Sequence, residues 1–315
     1  MYRHLLVPID SSDLSIELVG SAVGLARAVG ARITFFRALP SAAGSTDRTR
    51  ELLAKAEAAA RAFGVPCDSM QAAGDRPGSA IVETARAMDC DLVFMASHEA
   101  RSRPDTTLGL LMDAGLPVLV SSAREPEAPA HAIGILRDEH RSMAAVLHAW
   151  MDMLSRARAQ GSVPDAALMQ AMLRYLQEFP VVVHHPKEEA HLFSRLRERD
   201  PTLSFELDEL ERQHRRDQEL LAGLAQHLAA TQAGGAAALG TLEQAVQAYA
   251  AFLWNHLGRE EAVILPAAQR CLTADDWQHI DAAFAHARDP GVGADIDRAC
   301  GQLFSRIVNA GQGLH

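Results

Sequence analysis

Four histidines and two glutamates in this 315-residue chain fall into a pattern that occurs twice. His140 lies in LRDEHRSMAAVL, and 44 residues on His184 opens HHPKEE; His214 lies in LERQHRRDQELL, and 42 residues on His256 opens HLGREE. Each half supplies a lone His on one helix and a His-x-x-x-Glu-Glu on the next. Position i+4 of a helix lies only about 40° round from i, so His184 with Glu188, and His256 with Glu260, point the same way. Position i+5 is about 140° away, which sends Glu189 and Glu261 outward. Two inward carboxylates can each bridge two ions about 3.5 to 4 Å apart, and four imidazoles give two nitrogens per ion. With one oxo or hydroxo bridge each ion has five ligands, leaving an open octahedral position for dioxygen, peroxide, nitric oxide or water. Such nitrogen and carboxylate donors suit two Fe ions, with Mn or Zn as substitutes. A single His on an apolar helix face is more often a satisfied core or surface residue. Six such residues in two matched sets would be costly to bury without a cation.

The repeat also sorts the other histidines. His191 follows His184 by seven residues but has Val263 as its counterpart, and His148 has Ala222. His185 corresponds to Leu257 and is turned about 100° from His184. These three are expected outside the ligand set, in a supporting layer or on the surface. A metal-bound imidazole usually donates its other N–H to an acceptor, and Glu139, Asp138, Asp217 or Glu211 can serve. Tyr175 and Tyr249 lie upstream of the two His-Glu pairs, where aromatic core packing is the expected role.

The elements that must position these residues are long amphipathic helices. From residue 132 no strand-like alternation remains, and helices are predicted at about 132–159, 165–198, 203–230 and 236–270, broken by QGSVPD, RDPT and TQAGGA. Pro180 and Pro186 fall inside the second, where a kink or restart is expected. A shorter pair follows in 271–315, the first opened by a capping box from Thr273 to Asp276 in LTADDW and the two separated by DPGVG at 289–293. Before residue 122 the pattern is different. HLLVPI, ARITFFRAL, CDSMQAA, DLVFMAS and PVLVSS alternate with helical runs and a short TLGLLMDA, which implies helices on both faces of a parallel sheet. AREPEAPAH, rich in Pro and charge, reads as a linker. The predicted architecture is a doubly wound α/β domain with a parallel five-stranded sheet (1–122), a linker (123–131), an all-α up-down four-helix bundle (132–270) and a helical extension (271–315).

Composition narrows the function classes. The net charge of −10 has no basic stripe, so nucleic acid is not an expected partner. No apolar run approaches the roughly 20 residues of a spanning helix, and MYRHLLVPID leads straight into a strand, so a cytoplasmic protein without a membrane partner is expected. Cys67, Cys90, Cys271 and Cys300 are far apart with no CxxC pairing, which argues against disulfides and thiolate metal sites. Most of the fourteen histidines lie after residue 130, the half that carries the matched sets.

Residues 132 to 270 resemble the hemerythrin-like, His-His-Glu cation-binding family through DEH, HHPKEExxLF, ExxH and HxxxEE ending near a Pro. The resemblance implies His140, His184, Glu188, His214, His256 and Glu260 as ligands, with both glutamates bridging. Oxygen-carrying hemerythrins have a second His four residues after the third-helix one, where this chain has Gln218. That leaves one ion less saturated and points to redox chemistry or sensing more than to oxygen carriage. The first 122 residues resemble the universal stress protein family through VPIDSSDLS, GDRPGSAIVETA and DLVFMASH. Nucleotide-binding members carry a G-x-x-G loop and a later G-S/T after the fourth strand, whose amides hold phosphates. Here Ala96 replaces the usual Gly and ASHEARSRPDTTLGLLMD lacks the spacing, which argues against ATP binding. Asp10, Ser97 and His98 remain as residues of a degenerate cleft at the carboxyl edge of the sheet. Such folds often pair, which implies a homodimer through this domain.

The expected protein is therefore a stress-response protein whose hemerythrin-like di-iron centre binds or senses O2, NO or redox state. Two alternatives stand beside it: an enzyme that reduces peroxide or NO or serves iron-sulfur cluster repair, and an ATP-dependent stress regulator.

Overall fold

In the computed structural model the described residues are 2–10, 13–39, 46–73, 76–96, 111, 114–121, 131–286 and 292–312. The chain forms two compact units, Met1–Glu127 and Ala128–His315. The first holds the strands β1 (His4–Pro8), β2 (Arg32–Leu39), β3 (Cys67–Ala73), β4 (Leu92–Ala96) and β5 (Val118–Ser121), with helices α1 (Asp13–Val29), α2 (Asp47–Ala62) and α3 (Pro77–Ala87). All strand pairs are parallel and the sheet order is β3-β2-β1-β4-β5. Every residue of β1 and β4 is buried, as continuous apolar runs require in a parallel sheet covered on both faces. One core forms around Leu18, Phe35 and Leu53, and a second around Phe36, Ile81 and Met95. Thr46 caps α2 by accepting from the Thr49 amide at 3.3 Å, and Pro77 opens α3, where its missing N–H costs nothing.

The strand order reverses direction between β1 and β4, which places the open crevice at their carboxyl ends. Asp10 follows β1 there and is half-buried, while the Arg37 guanidinium donates to the neighbouring Ile9 carbonyl at 3.1 Å. Ser97 and His98, most of the short TLGLLMDA segment and nearly all of the expected linker lie outside the described residues.

The second unit is helical: α4 (His131–Gln160), α5 (166–199), α6 (Ser204–Gly234), α7 (239–271), α8 (Ala274–His286) and α9 (Val292–Gln312). The first four pack in a closed ring, α4 on α5, α5 on α6, α6 on α7 and α7 on α4, as short connections between antiparallel helices dictate. Asp165 caps α5 by accepting from the Ala167 and Leu168 amides at 2.8 and 3.2 Å. Gly235, at φ 61°, ends α6 in a conformation that disfavours any side chain. α8 packs on α4 and on residues 188–193, and α9 packs on α4 and the first half of α5. The Thr273–Asp276 capping box forms in both directions, Asp276 accepting from the Thr273 amide at 2.9 Å and Thr273 from the Asp276 amide at 3.3 Å. Of the DPGVG separator, residues 289–291 lie outside the described residues.

Pro180 and Pro186 do not restart α5. The helix instead passes through two wide π turns, Phe179–His184 and Glu188–Phe193, between α-helical stretches Ala166–Glu178, His185–Lys187 and Ser194–Arg199. The His185 amide donates to Pro180 O, five residues back rather than four. α7 has one such turn, Glu260–Ile264, between Leu239–Arg259 and Leu265–Cys271, where the Leu265 amide reaches Glu260 O. Wide turns of this kind absorb an extra residue and gather at functional positions in helices. Here one begins at the first glutamate of each His-x-x-x-Glu-Glu.

Candidate metal centre

His140, His184, Glu188, His214, His256 and Glu260 all reach the interior of the four-helix ring, none more than 3 % exposed. Their atoms converge. Glu260 turns Oε2 toward His140 Nε2 at 3.2 Å and Oε1 toward His256 and His214 Nε2 at 3.2 and 3.7 Å. Glu188 turns Oε1 toward His140 Nε2 at 3.9 Å and Oε2 toward His184 and His214 Nε2 at 3.5 and 3.6 Å. Each carboxylate thus faces imidazoles from both halves of the repeat, the placement a bridging ligand needs.

The outward nitrogens are all engaged. His140 Nδ1 donates to Glu261 at 3.0 Å, His184 Nδ1 to Glu139 at 2.8 Å, His214 Nδ1 to Glu189 at 2.6 Å and His256 Nδ1 to the Gln213 carbonyl at 3.1 Å. An ionised carboxylate or an amide carbonyl only accepts, so each pairing keeps a proton on Nδ1 and turns Nε2 inward. Inside, all four Nε2 atoms, Glu188 Oε2 and both Glu260 oxygens are buried without a hydrogen-bond partner. Protein interiors rarely leave such atoms unsatisfied. The donor set fits divalent cations that take imidazole and carboxylate, and the Nδ1 acceptors are those that metal-bound histidines use.

Two of the four acceptors were not foreseen. Glu189 and Glu261 were expected to face outward, and Glu189 is 43 % exposed, yet each turns a carboxylate oxygen back to the Nδ1 of the lone His of the opposite half. A wide turn begins at Glu188 and at Glu260, so the 100° step of a regular helix does not carry across it. Of the acceptors foreseen, Glu139 takes the role. The amide at Gln213 is the fourth, and its position directly before His214, matching Glu139 before His140, was the available signal.

His185 is 4 % exposed and supports the inner set from outside, stacking on His214 with ring centroids 3.8 Å apart and planes 11° apart. The other two excluded histidines stay outside the cage. His148 stacks on Trp254 at 5.0 Å, and His191 lines a surface cleft with Arg195 and His279. Gln218 is exposed, whereas Asp217 beside it is buried. Tyr175 and Tyr249 are core residues at 2 % and 1 % exposure. The Asp217 carboxyl lies beside the Tyr249 hydroxyl.

The charges in this interior balance one another. Burial opposes protonation of His140, but Glu188, Glu260 and Glu261 outweigh it and hold its pKa well above the ordinary range. Burial likewise opposes His214, which Glu260, Glu188 and Glu189 push up to about 9. His256 goes the other way: burial, with His214, His184 and His140 close by, overcomes the pull of Glu260 and lowers it to about 4. Burial disfavours the Glu260 carboxylate, and His256, His140 and His214 still hold its pKa well down. Protons on His140 and His214 therefore stand where cations would neutralise the two glutamates, and cation binding there releases protons. Asp217 is raised to about 6 by burial, against smaller opposing pulls from Tyr249 and His214.

Residues 131–268 match the sequence model of the Hemerythrin HHE cation binding domain, and residues 1–122 match that of the Universal stress protein family. The chain joins a universal stress protein domain to a hemerythrin-like HHE domain. Among solved structures, the first domain is similar to a universal stress family protein from Burkholderia pseudomallei, at 21 % identity over 39 % of this chain and 97 % of that one, with a TM-score of 0.34. It is also similar to the universal stress protein from Archaeoglobus fulgidus, at 21 % identity over 38 % of this chain and 93 % of that one, with a TM-score of 0.33. A universal stress protein in complex with cAMP matches at 22 % identity over 39 % and 98 % of the two chains, with a TM-score of 0.34. The HHE domain and the buried His/Glu cluster make this a metal-binding, stress-related protein. No helix among the described residues is long and apolar enough to cross a membrane.

Proposed function

We propose that the bundle, taken as residues 132–270 with 271–315 as an extension, holds a pair of iron ions on His140, His184, Glu188, His214, His256 and Glu260. The paired ions would supply open coordination positions and a redox couple, suited to binding or sensing O2, NO or cellular redox state. The observation that carries this reading is the set of inward Nε2 and carboxylate atoms left without hydrogen-bond partners while every Nδ1 is anchored. In a low-dielectric interior that arrangement is costly unless cations complete it. The chain's own part is to fix the tautomers, to present both carboxylates to both halves, and to exclude bulk water by packing Leu210, Phe193 and Ile264 in an apolar layer beside the cage.

Elemental analysis of the purified protein tests the reading directly: about two irons per chain are expected, with near-ultraviolet charge-transfer absorption that responds reversibly to oxygen or NO. Fewer than one metal of any kind per chain would overturn it, and catalytic loss of added peroxide or NO would move it to the enzyme class. The stress domain is read as a docking or dimerisation module in a cytoplasmic homodimer. Some universal stress proteins are solved with cAMP or dAMP, but Ala96 stands at a position where nucleotide-binding loops use Gly. Calorimetry with ATP is expected to give no heat, and light scattering a dimer mass.

A further inference from the structure

α8 lies outside the four-helix ring and packs on the wide turn Glu188–Phe193. Between α5 and α8 is a surface cleft of about 210 Å³, whose polar lining is His191, Ser194, Arg195 and Glu198 from α5 and His279 from α8. The repeat does not account for this set. The counterparts of the four α5 residues are Val263, Pro266, Ala267 and Arg270, so the polar cluster stands only where the extension meets the bundle, and the metal cage makes no use of it. Its hydrogen bonding shows which charge it suits. Asp276, the nearest buried acid, is already satisfied: it accepts from Arg199 at 2.7 and 3.1 Å and from the Thr273 amide and hydroxyl at 2.9 and 2.7 Å. Arg195 comes no closer than 3.8 Å to Asp276 or to Glu198, and Glu198 is 65 % exposed; neither contact is within hydrogen-bond reach. The Ser194 hydroxyl donates to the Ala190 carbonyl at 2.7 Å. The Arg195 guanidinium and the His191 and His279 rings thus make no hydrogen bond to another described residue. Burial, His279 and Arg195 together lower the His191 pKa, so the donors crowd one another and an anion among them relieves the crowding. A cation fits poorly. Arg195 carries a fixed positive charge, and the described donors that converge closely enough for a metal are those of the inner cage and His185, not these. The volume lies below the roughly 300 Å³ at which small-molecule pockets begin, which suits a small ion and excludes a nucleotide.

We propose that this cleft binds a phosphate-class oxyanion, held by the Arg195 guanidinium and by ring N–H groups of His191 and His279. The guanidinium offers two parallel N–H donors that match two oxygens of a tetrahedral anion, and an imidazole has an N–H to donate in either tautomer. Asp276 stays neutralised by Arg199, and the exposed Glu198 has solvent to turn into. The test is equilibrium dialysis of the full chain, as purified, against inorganic phosphate, with glycerol phosphate in parallel. About one phosphate per chain is expected, at millimolar concentration or below, with binding weakened at least about tenfold in Arg195→Met and severalfold in His279→Ala. Tighter binding of glycerol phosphate identifies a phosphate monoester as the source, and equal or weaker binding identifies the free ion. Arg195 and His279 both reach the surface, so the variants are expected to fold, which melting checks. If Arg195→Met does not fold, Arg195→Lys, which keeps the charge and loses the paired donors, is read in its place. Phosphate binding unchanged in both variants overturns the proposal and puts the anion elsewhere, the metal cage being the first place to look. Absence of saturable binding below about 10 mM also overturns it. So does zinc uptake that is lost in His279→Ala and kept in Arg195→Met, since the cleft would then be a cation site.

Discussion

The two halves of the helical unit use the same eight-position motif to build unequal environments. In each, the residue before the lone His supports the His of its own half, and the second Glu of the pair supports the lone His of the other half. Glu139 before His140 is a carboxylate, and it is shared between His184 Nδ1 and the Lys187 ammonium. Gln213 before His214 is a neutral amide, so Arg259, the counterpart of Lys187, turns elsewhere and forms a two-bond pair with Glu206 at 2.8 Å for each contact. His184 therefore rests on a charged acceptor and His256 on a weaker one. A duplicated scaffold keeps the inner donors fixed, and the difference between its two ends is set one layer out.

The largest effect should follow from removing a bridging carboxylate. Glu260→Ala is expected to lose most bound metal and to lower the stability of the metal-free fold, by about 3 kcal/mol or less because His140 and His214 can shed their protons when one of their carboxylates is gone. Metal analysis and melting with and without chelator check this; a variant that still holds two metals would break the equivalence drawn between Glu188 and Glu260. Next in size is the outer acceptor. Glu139→Gln makes the first half resemble the second and is expected to weaken metal affinity about 10- to 100-fold, by competition against a chelator. Gln213→Glu should strengthen it, and if both changes leave affinity alone the difference between the halves has no electronic consequence.

Much of this was legible in the sequence because it depended on periodicity and duplication. The five parallel strands followed from buried apolar runs such as HLLVP, and the helix bounds from QGSVPD, RDPT and TQAGGA. The six inner donors fell out of matching two segments against each other. What periodicity did not show was the departure from a regular helix through the motif, and with it the use of Glu189 and Glu261 as acceptors for Nδ1 of the opposite half. A kink or restart was expected at Pro180 and Pro186; Pro180 instead lies inside the wide turn Phe179–His184, and Pro186 in the short α-helical stretch that follows it. Asp10, Ser97 and His98 were the least legible, since their chemistry depends on loop geometry that periodicity does not encode.

Asp217 offers a third contrast, because its counterpart is Met143, fully buried in the first half. Burial raises Asp217 to about 6 from its ordinary 3.8. Between those values the folded chain holds a proton that the unfolded chain has released, so stability falls as pH rises from about 4 to 6 and is level above. The shift corresponds to about 2 to 3 kcal/mol at most. Asp217→Met is expected to remove this fall, measured by denaturant unfolding of metal-free protein at pH 4 and 6.5. An unchanged pH profile would show that the acid is neutralised by a neighbour.

The smallest effect distinguishes the two basic residues. Arg259 and Glu206 form their pair at the partly exposed rim of the bundle, with side chains 32 % and 20 % exposed. Replacing Arg259 with Met should cost about 1 kcal/mol or less and leave metal affinity as it was. Lys187 is more enclosed, at 11 %, and its partner Glu139 also anchors His184. Lys187→Met removes a cation that helps hold Glu139 down to about 2 against burial, with His184 the larger contributor, and leaves that carboxylate to His184 alone. Metal affinity is therefore expected to change in Lys187→Met and not in Arg259→Met. Equal behaviour of the two variants in a chelator competition would mean that the charge beside Glu139 is not transmitted to the imidazole, and the asymmetry between the halves would then rest on Gln213 alone.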